Sequence, residues 1–186
     1  MFKKRLKVSL IAFCAMMALI PVSAFAADTT VTVNAGSLNI SAPTVGNFSA
    51  VNMDGAAKSP TASVGTFSVT DARGNGNGWH VTAEASQFAE WNGSEYVASG
   101  KTLAEGSLEL SQPSATANGT DSPAPAVSAG PYTIDEAGGV SLASADVDEG
   151  MGKYDFGATT LTLSVPADAY AKTYKSTVTI SVTTAP

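Results

Sequence analysis

Trp79-His80-Val81-Thr82-Ala83-Glu84-Ala85 alternates apolar and polar side chains without a break. Successive side chains of a β-strand point to opposite faces, so this period of two puts Trp79, Val81, Ala83 and Ala85 on one face and His80, Thr82 and Glu84 on the other. The same period recurs at Phe67 and Val69 within residues 64–70, at Leu108 and Leu110, and at Leu161, Leu163 and Val165. Pro166 ends that last run, because proline has no N–H to give to a ladder. The closing run sets Tyr174, Ser176, Val178, Ile180 and Val182 against Lys175, Thr177, Thr179, Ser181 and Thr183, the pattern of a half-buried strand. Two shorter candidates, residues 30–33 and 37–41, flank Ala35-Gly36. Apolar spacings of three and four are almost absent, and the one candidate helical turn, residues 167–171, is too short to change the class.

The fold class is therefore all-β. The spacing predicts a single β-sandwich of Ig-like or Greek-key type with about eight or nine strands. A closed barrel is the alternative, which period-two patterning does not separate from it. Residues 88–97 carry Asn92-Gly93 between two apolar-containing segments, which predicts a hairpin with both turn residues at positive φ. Residues 112–131 are rich in Pro, Ala, Ser, Gly and Asn and bury too little surface to offset the entropy of ordering. They predict one long flexible loop. A domain boundary there would leave two halves marginal for a core without disulfides, so residues 27–186 are read as one domain.

Residues 1–26 carry the three regions of a secretory signal peptide in order. Lys3, Lys4, Arg5 and Lys7 precede an apolar run over residues 8–22, and Ala24-Phe25-Ala26 supplies the small residues for cleavage after Ala26, with the bond after Ala27 as the alternative. The run is too short to span a bilayer comfortably, which takes about 20 residues. The expected destination is outside the cell, with no membrane association once the leader is cut. Cys14, the one cysteine, lies in mid-run behind Phe13, where a lipid anchor does not fit, so residues 27–186 have no thiol for a disulfide, metal or nucleophile.

Cleavage would remove four of the ten Lys and Arg and none of the sixteen Asp and Glu, leaving six cations, sixteen anions and a net charge of −10. Such a surface repels phosphate polymers at long range, which argues against nucleic acid and against simple electrostatic docking on anionic wall polymers. Binding to a wall would have to use short-range shape, hydrogen bonds, aromatic faces or bridging cations.

Three stretches carry a resemblance: Val69-Thr70-Asp71-Ala72-Arg73-Gly74-Asn75-Gly76-Asn77-Gly78-Trp79-His80-Val81, then Gly150-Met151-Gly152-Lys153-Tyr154 followed by Leu161-Thr162-Leu163-Ser164-Val165-Pro166, and finally Tyr174–Val182 with Pro186. In order and spacing, and with Gly36-Ser37-Leu38 near the start, they resemble the WxL domain, a family of Gram-positive surface proteins that attach non-covalently to the cell wall. The first stretch reads Trp-His-Val where the family has Trp-x-Leu, and Ile180-Ser181-Val182 stands where many members carry a second tryptophan. On this resemblance Asp71, Arg73, Gly74, Gly78, Trp79, Val81, Tyr174, Ile180 and Val182 are the family-motif positions. The resemblance implies a non-enzymatic protein on the cell surface whose partner is cell-wall peptidoglycan, with other surface proteins as further partners.

Trp79 shares its parity with Val81 and Ala83, which predicts a core residue rather than a stacking platform. Asp71 and Arg73 straddle a turn into Gly74–Gly78, whose glycines permit backbone conformations closed to other residues. That loop leads into a strand, not into the helix a dinucleotide fingerprint needs, so a local Asp71–Arg73 pair is expected and a phosphate cradle is not. His80 is the sole histidine, and no Gly-x-Ser-x-Gly elbow or histidine pair accompanies it, so neither catalysis nor a zinc site is expected. Asp146-Val147-Asp148-Glu149-Gly150, with Asp155, gathers carboxylates but lacks a calcium-loop spacing and reads as a solvated acidic turn. No metal or other cofactor is expected. Trp91 and Tyr96 flank the predicted turn, where exposed aromatics either stack on glycan rings, with Asn92 and Ser94 supplying hydrogen bonds, or cap the end of the sandwich. Trp91, Asn92, Tyr96 and His80 are the candidate ligand contacts. A second functional class is also open: a structural or adhesive subunit that joins other surface proteins through an edge strand, with residues 175–183 as donor.

Overall fold

The computed structural model describes residues 29–120 and 122–185. The expected signal peptide and Cys14 lie outside the described residues. The chain divides into a leading unit, residues 1–33, and a second unit, residues 34–186. In the first, residues 30–33 form no strand and are exposed, so that candidate is not realised. Among the described residues every strand belongs to the second unit.

Fourteen strands succeed one another: β1 Leu38–Ile40, β2 Thr61–Val64, β3 Phe67–Asp71, β4 Trp79–Ala85, β5 Ala89–Glu90, β6 Leu108–Leu110, β7 Ala115–Asn118, β8 Ala126–Val127, β9 Tyr132–Thr133, β10 Val140–Ala145, β11 Gly152–Phe156, β12 Thr159–Leu163, β13 Tyr174–Lys175 and β14 Val178–Thr184. All pairings are antiparallel. Three sheets of four strands have the orders β1-β3-β11-β7, β14-β4-β10-β8 and β2-β12-β6-β9, and a two-stranded sheet joins β13 to β5.

The class is all-β, but fourteen strands in four sheets replace the single sandwich of about eight or nine strands. The reason is a crease. β2 runs into β3 across Gly65-Thr66, β11 into β12 across Gly157-Ala158, and β6 into β7 across residues 111–114. Both sheets keep the same lateral order, with the β11–β12 run in the middle. Three long strands therefore form one ribbon that bends, and each half counts as a separate strand. Strands that cross from one sheet to another through a bend are a recognised way to turn a corner around a core. Bonds bridge the corner: Gly157 N–H donates to Ser114 O at 3.0 Å and Ser111 N–H to Thr160 O at 2.9 Å. Gly65 and Gly157 sit there because space is short. A Cβ on Gly157 would come 2.4 Å from Ser114 Oγ, and one on Gly65 2.5 Å from Thr44 Oγ1. Beside the bend, Phe67 and Phe156 pair across β3 and β11 with their rings stacked at 4.5 Å.

The sequence between Gln112 and Pro131, expected as one loop, contributes β7 and β8 as edge strands, on β11 and β10 respectively. Its small residues suffice because an edge strand needs one hydrogen-bonded neighbour and little side-chain burial. The closing run also divides: Tyr174–Lys175 pairs with β5, whereas Val178–Thr184 pairs along the whole of β4.

One contiguous core lies between these layers. It takes Val69, Tyr154 and Phe156 from one limb of the ribbon, Val64, Leu108, Leu110 and Leu161 from the other, and Trp79, Val81, Ala83 and Leu142 from the sheet opposite. Along β4 the burial alternates from Trp79 to Ala83, as the sequence period requires. Because both limbs share this core, Val69→Ala and Leu161→Ala are each expected to lower stability by about 2–4 kcal/mol. Urea unfolding followed by both tryptophan fluorescence and far-ultraviolet circular dichroism is expected to show one shared transition for each variant. Non-coincident curves would mean that the limbs fold separately.

Candidate functional site

The motif around Trp79 is built inward. Gly74, Gly76 and Gly78 all adopt positive φ, which turns the chain from β3 to β4. Asp71, at the end of β3, is fully buried, and Arg73 folds back onto it with Nε and Nη2 donating to the two carboxylate oxygens at 2.9 and 2.8 Å. Nη2 also donates to Gly78 O at 2.7 Å, and Nη1 to Thr184 Oγ1 at 2.8 Å. The guanidinium thus ties β3, the glycine loop and the end of β14 together. Its hydrogen bonds hold the Asp71 carboxyl below its ordinary range against the opposing effect of burial, and Asp71 in turn raises Arg73.

Trp79 is wholly buried, its ring 5.6 Å from that of Tyr154 and its Nε1–H donating to Gly150 O at 2.8 Å. Gly150 lies at φ +72°, and a Cβ there would come 2.3 Å from Ala145 Cβ and 2.6 Å from the indole nitrogen. The acidic turn 146–150 serves this contact, and Asp148 N–H donates to Gly76 O at 2.7 Å. Val81 is fully buried, and Tyr174, Ile180 and Val182 are half-buried against the core. Asp71, Trp79 and Val81 therefore present no free face to a ligand.

His80 lies on the opposite face of β4, with Nε2 2.7 Å from Thr183 Oγ1 across to β14. It belongs to the sheet of β4, whereas Trp91 and Tyr96 lie outside the named strands. The structure does bring Trp91, Asn92 and Tyr96 together. Trp91 and Tyr96 form a bridge with rings edge to face at 5.1 Å, and Tyr96 is 45 % exposed. The turn between them differs from the expected two-residue type. Gly93 alone of the pair has positive φ, and the loop holds four residues, 92–95, closed by Asn92 N–H donating to Glu95 O. Asn92 shapes it from inside, since Oδ1 accepts from Ser94 N–H, Ser94 Oγ and Glu95 N–H at 2.9, 2.9 and 3.0 Å. An asparagine side chain that accepts from the backbone ahead of it fixes a turn while its own backbone stays at negative φ, leaving Gly93 the positive one. The Asn92 oxygen is therefore spent on the turn.

Sequence reasoning missed the lysines and tyrosines around this hairpin. Lys175 places Nζ 3.8 Å from the centre of the Trp91 ring and 6.0 Å from that of Tyr96. Lys101 stands 4.2 Å over Tyr170, which is 58 % exposed. Tyr174 Oη donates to Tyr170 O at 3.0 Å. Glu90 joins these parts: it accepts from Lys101 N–H at 3.0 Å and from Lys172 Nζ at 2.9 Å, and both bonds hold its carboxyl below the ordinary range. One signal was legible: in Tyr170-Ala171-Lys172-Thr173-Tyr174-Lys175, tyrosine and lysine alternate at strand spacing. Lys101 had none, since only the fold brings it to Tyr170. A groove of about 1090 Å³ adjoins these residues, lined by the 45–53 segment, Phe88, Leu103 and Tyr170–Ser176.

Comparison with protein families bears on what this architecture is for. The family model for the WxL domain, described as surface cell wall-binding, matches residues 25–186. The chain belongs to the WxL domain family. No curated protein and no solved structure gives a significant match. Membership makes surface association with the cell wall the coarse function of this WxL domain, and the motif residues of the family hold its fold together. Among the described residues no helix is long and apolar enough to cross a membrane.

The sign of the Asp71 shift sets a pH dependence. Its folded-state pKa is depressed, so its contribution is complete above the unfolded value of about 3.9 and is lost as pH falls through the lower folded value. Wild-type thermal stability is expected to drop below about pH 4, with a flatter acid limb in Asp71→Asn. Arg73→Ala strands a buried carboxylate and is expected to cost about 3–5 kcal/mol at pH 7 by chemical denaturation.

Proposed function

We propose that this WxL domain is a secreted binding module without catalytic activity, retained on a Gram-positive envelope by non-covalent association with peptidoglycan, and that the Trp91–Tyr96 hairpin makes the contact. One observation carries the reading. The motif residues Asp71, Arg73 and Trp79 are used up in packing, whereas Trp91 and Tyr96 form an aromatic pair on a turn pre-set by Asn92 and capped by Lys175. Rigid aromatic faces stack on sugar rings at little cost in conformational entropy, and the hairpin holds these two before any ligand arrives. A chain of net charge −10 over residues 27–186 needs this kind of short-range contact. Residues 27–186 are expected to pellet with purified sacculi at both low and high salt. Trp91→Ala with Tyr96→Ala is expected to weaken binding by about ten- to thirty-fold without changing the free energy of unfolding by more than about 1 kcal/mol. A protein that stays in the supernatant at every salt concentration would defeat the reading.

A specific observation also favours a second reading, assembly through an edge strand. β14 stands at the end of its sheet, seven residues long and without proline, and pairs on one side with β4. Such an edge is a template for a further strand. Size-exclusion chromatography with light scattering distinguishes the two: concentration-dependent oligomers that vanish in Thr179→Lys, an exposed edge position whose N–H stays on β4, support the subunit, and a strict monomer that pellets with sacculi supports the wall module.

A further inference from the structure

The cations of this acidic chain are unequally partnered. After residue 26 there are six Lys and Arg against sixteen Asp and Glu. Four of the six stand within 4.0 Å of a carboxylate: Lys58 with Asp54, Arg73 with Asp71, Lys153 with Asp155 and Lys172 with Glu90. Among the described residues, Lys101 and Lys175 have no such partner, and both lie instead over aromatic rings at the same end of the molecule. With acids in excess, an ammonium that rests on an indole in place of a carboxylate keeps its charge available. The contact is worth only about 0.5–1 kcal/mol when exposed, so an anion can draw the ammonium to itself while the ring remains as a stacking face.

We infer that Lys175, with the Trp91 and Tyr96 rings, forms a subsite for a carboxylate carried on an otherwise largely neutral glycopeptide, with Lys101 over Tyr170 as a second, similar position. The sugar or peptide backbone lies on the rings and the carboxylate meets Nζ of Lys175. The inference deepens the peptidoglycan reading and rests on it. A carboxylate rather than a run of phosphates follows from the surroundings. Lys172 already pairs with Glu90, which leaves single lysines rather than a basic track beside the rings, and over residues 27–186 acids outnumber cations by ten, so a densely charged polyphosphate meets repulsion from the chain as a whole. An isolated carboxylate between neutral sugars meets one lysine at a time.

Three preparations of sacculi test this with the 27–186 protein: untreated, stripped of phosphate polymers with hydrofluoric acid, and stripped then amidated at their carboxyl groups with carbodiimide and ammonia. Binding to stripped sacculi is expected to persist, and to fall at least about five-fold on amidation. Lys175→Gln is expected to reproduce that fall on stripped sacculi, with Lys175→Arg retaining binding because a guanidinium also stacks on an indole and meets a carboxylate. Circular dichroism and the urea midpoint establish that each variant is folded. Equal binding to free and amidated sacculi would overturn the carboxylate subsite while leaving wall association intact. Loss of binding on removal of phosphate polymers would overturn it in favour of phosphate, and failure to pellet with any preparation would remove the peptidoglycan reading and the subsite together.

Discussion

The buried ion pair of Asp71 and Arg73 is the constraint on which the motif end of the fold depends. Asp71 ends a strand of the creased ribbon, Gly78 begins the run into Trp79 on the facing sheet, and Thr184 ends the last strand, yet one guanidinium bonds to all three. A buried carboxylate is costly unless its lone pairs are satisfied, and the planar fork of arginine satisfies both oxygens in one geometry. That geometry in turn fixes the path of the glycine loop, and the loop delivers Trp79 to Tyr154 and Gly150. Apolar burial supplies most of the stabilisation, and the ion pair selects which sheets share it.

This arrangement separates the residues that identify the family from those available to a ligand. Trp79 stabilises by its area, by its contact with Tyr154 and by an indole hydrogen bond, all of which require it to be out of water. A side chain so placed has nothing left with which to meet a wall polymer. The hairpin at the other site shows the reverse: its polar groups are satisfied internally by Asn92 and Glu90, while Tyr96 is exposed and Trp91 half-buried beneath Lys175. Ile180 and Val182 fall on the inward side of this division, since both pack against the core.

The bent ribbon explains how a chain with few charged residues and no cysteine after residue 26 holds together. Bending lets the β2–β3 and β11–β12 runs line the core on both sides of the corner, while β6 adds Leu108 and Leu110. The bend needs glycine at two positions where a side chain would collide, and a stacked phenylalanine pair beside them. Short edge strands drawn from the Pro- and Ser-rich segment complete the sheets on their outer sides.

Sequence alone determined the all-β class, the inward parity of Trp79, Val81 and Ala83, and the pairing of Asp71 with Arg73, because each depends on neighbours one to four positions away. Its period of two also marked β3, β6 and β12, but not β2, β7 or β11, and it could not show that these runs continue through a bend, two of them at a glycine, since alternation carries on through a corner. The Asn92-Gly93 hairpin was legible, but its turn type was not, because an asparagine oxygen captured by Ser94 and Glu95 competes with the left-handed conformation that the pair usually signals. Tertiary structure alone decided that residues 112–131 find strands to pair with, that the closing run divides between two sheets, and that Lys101 and Lys175 come to rest on Tyr170 and Trp91. Those contacts join segments about 70 to 85 residues apart, and contact across such distances is set by the packing of the whole core, which no local pattern encodes.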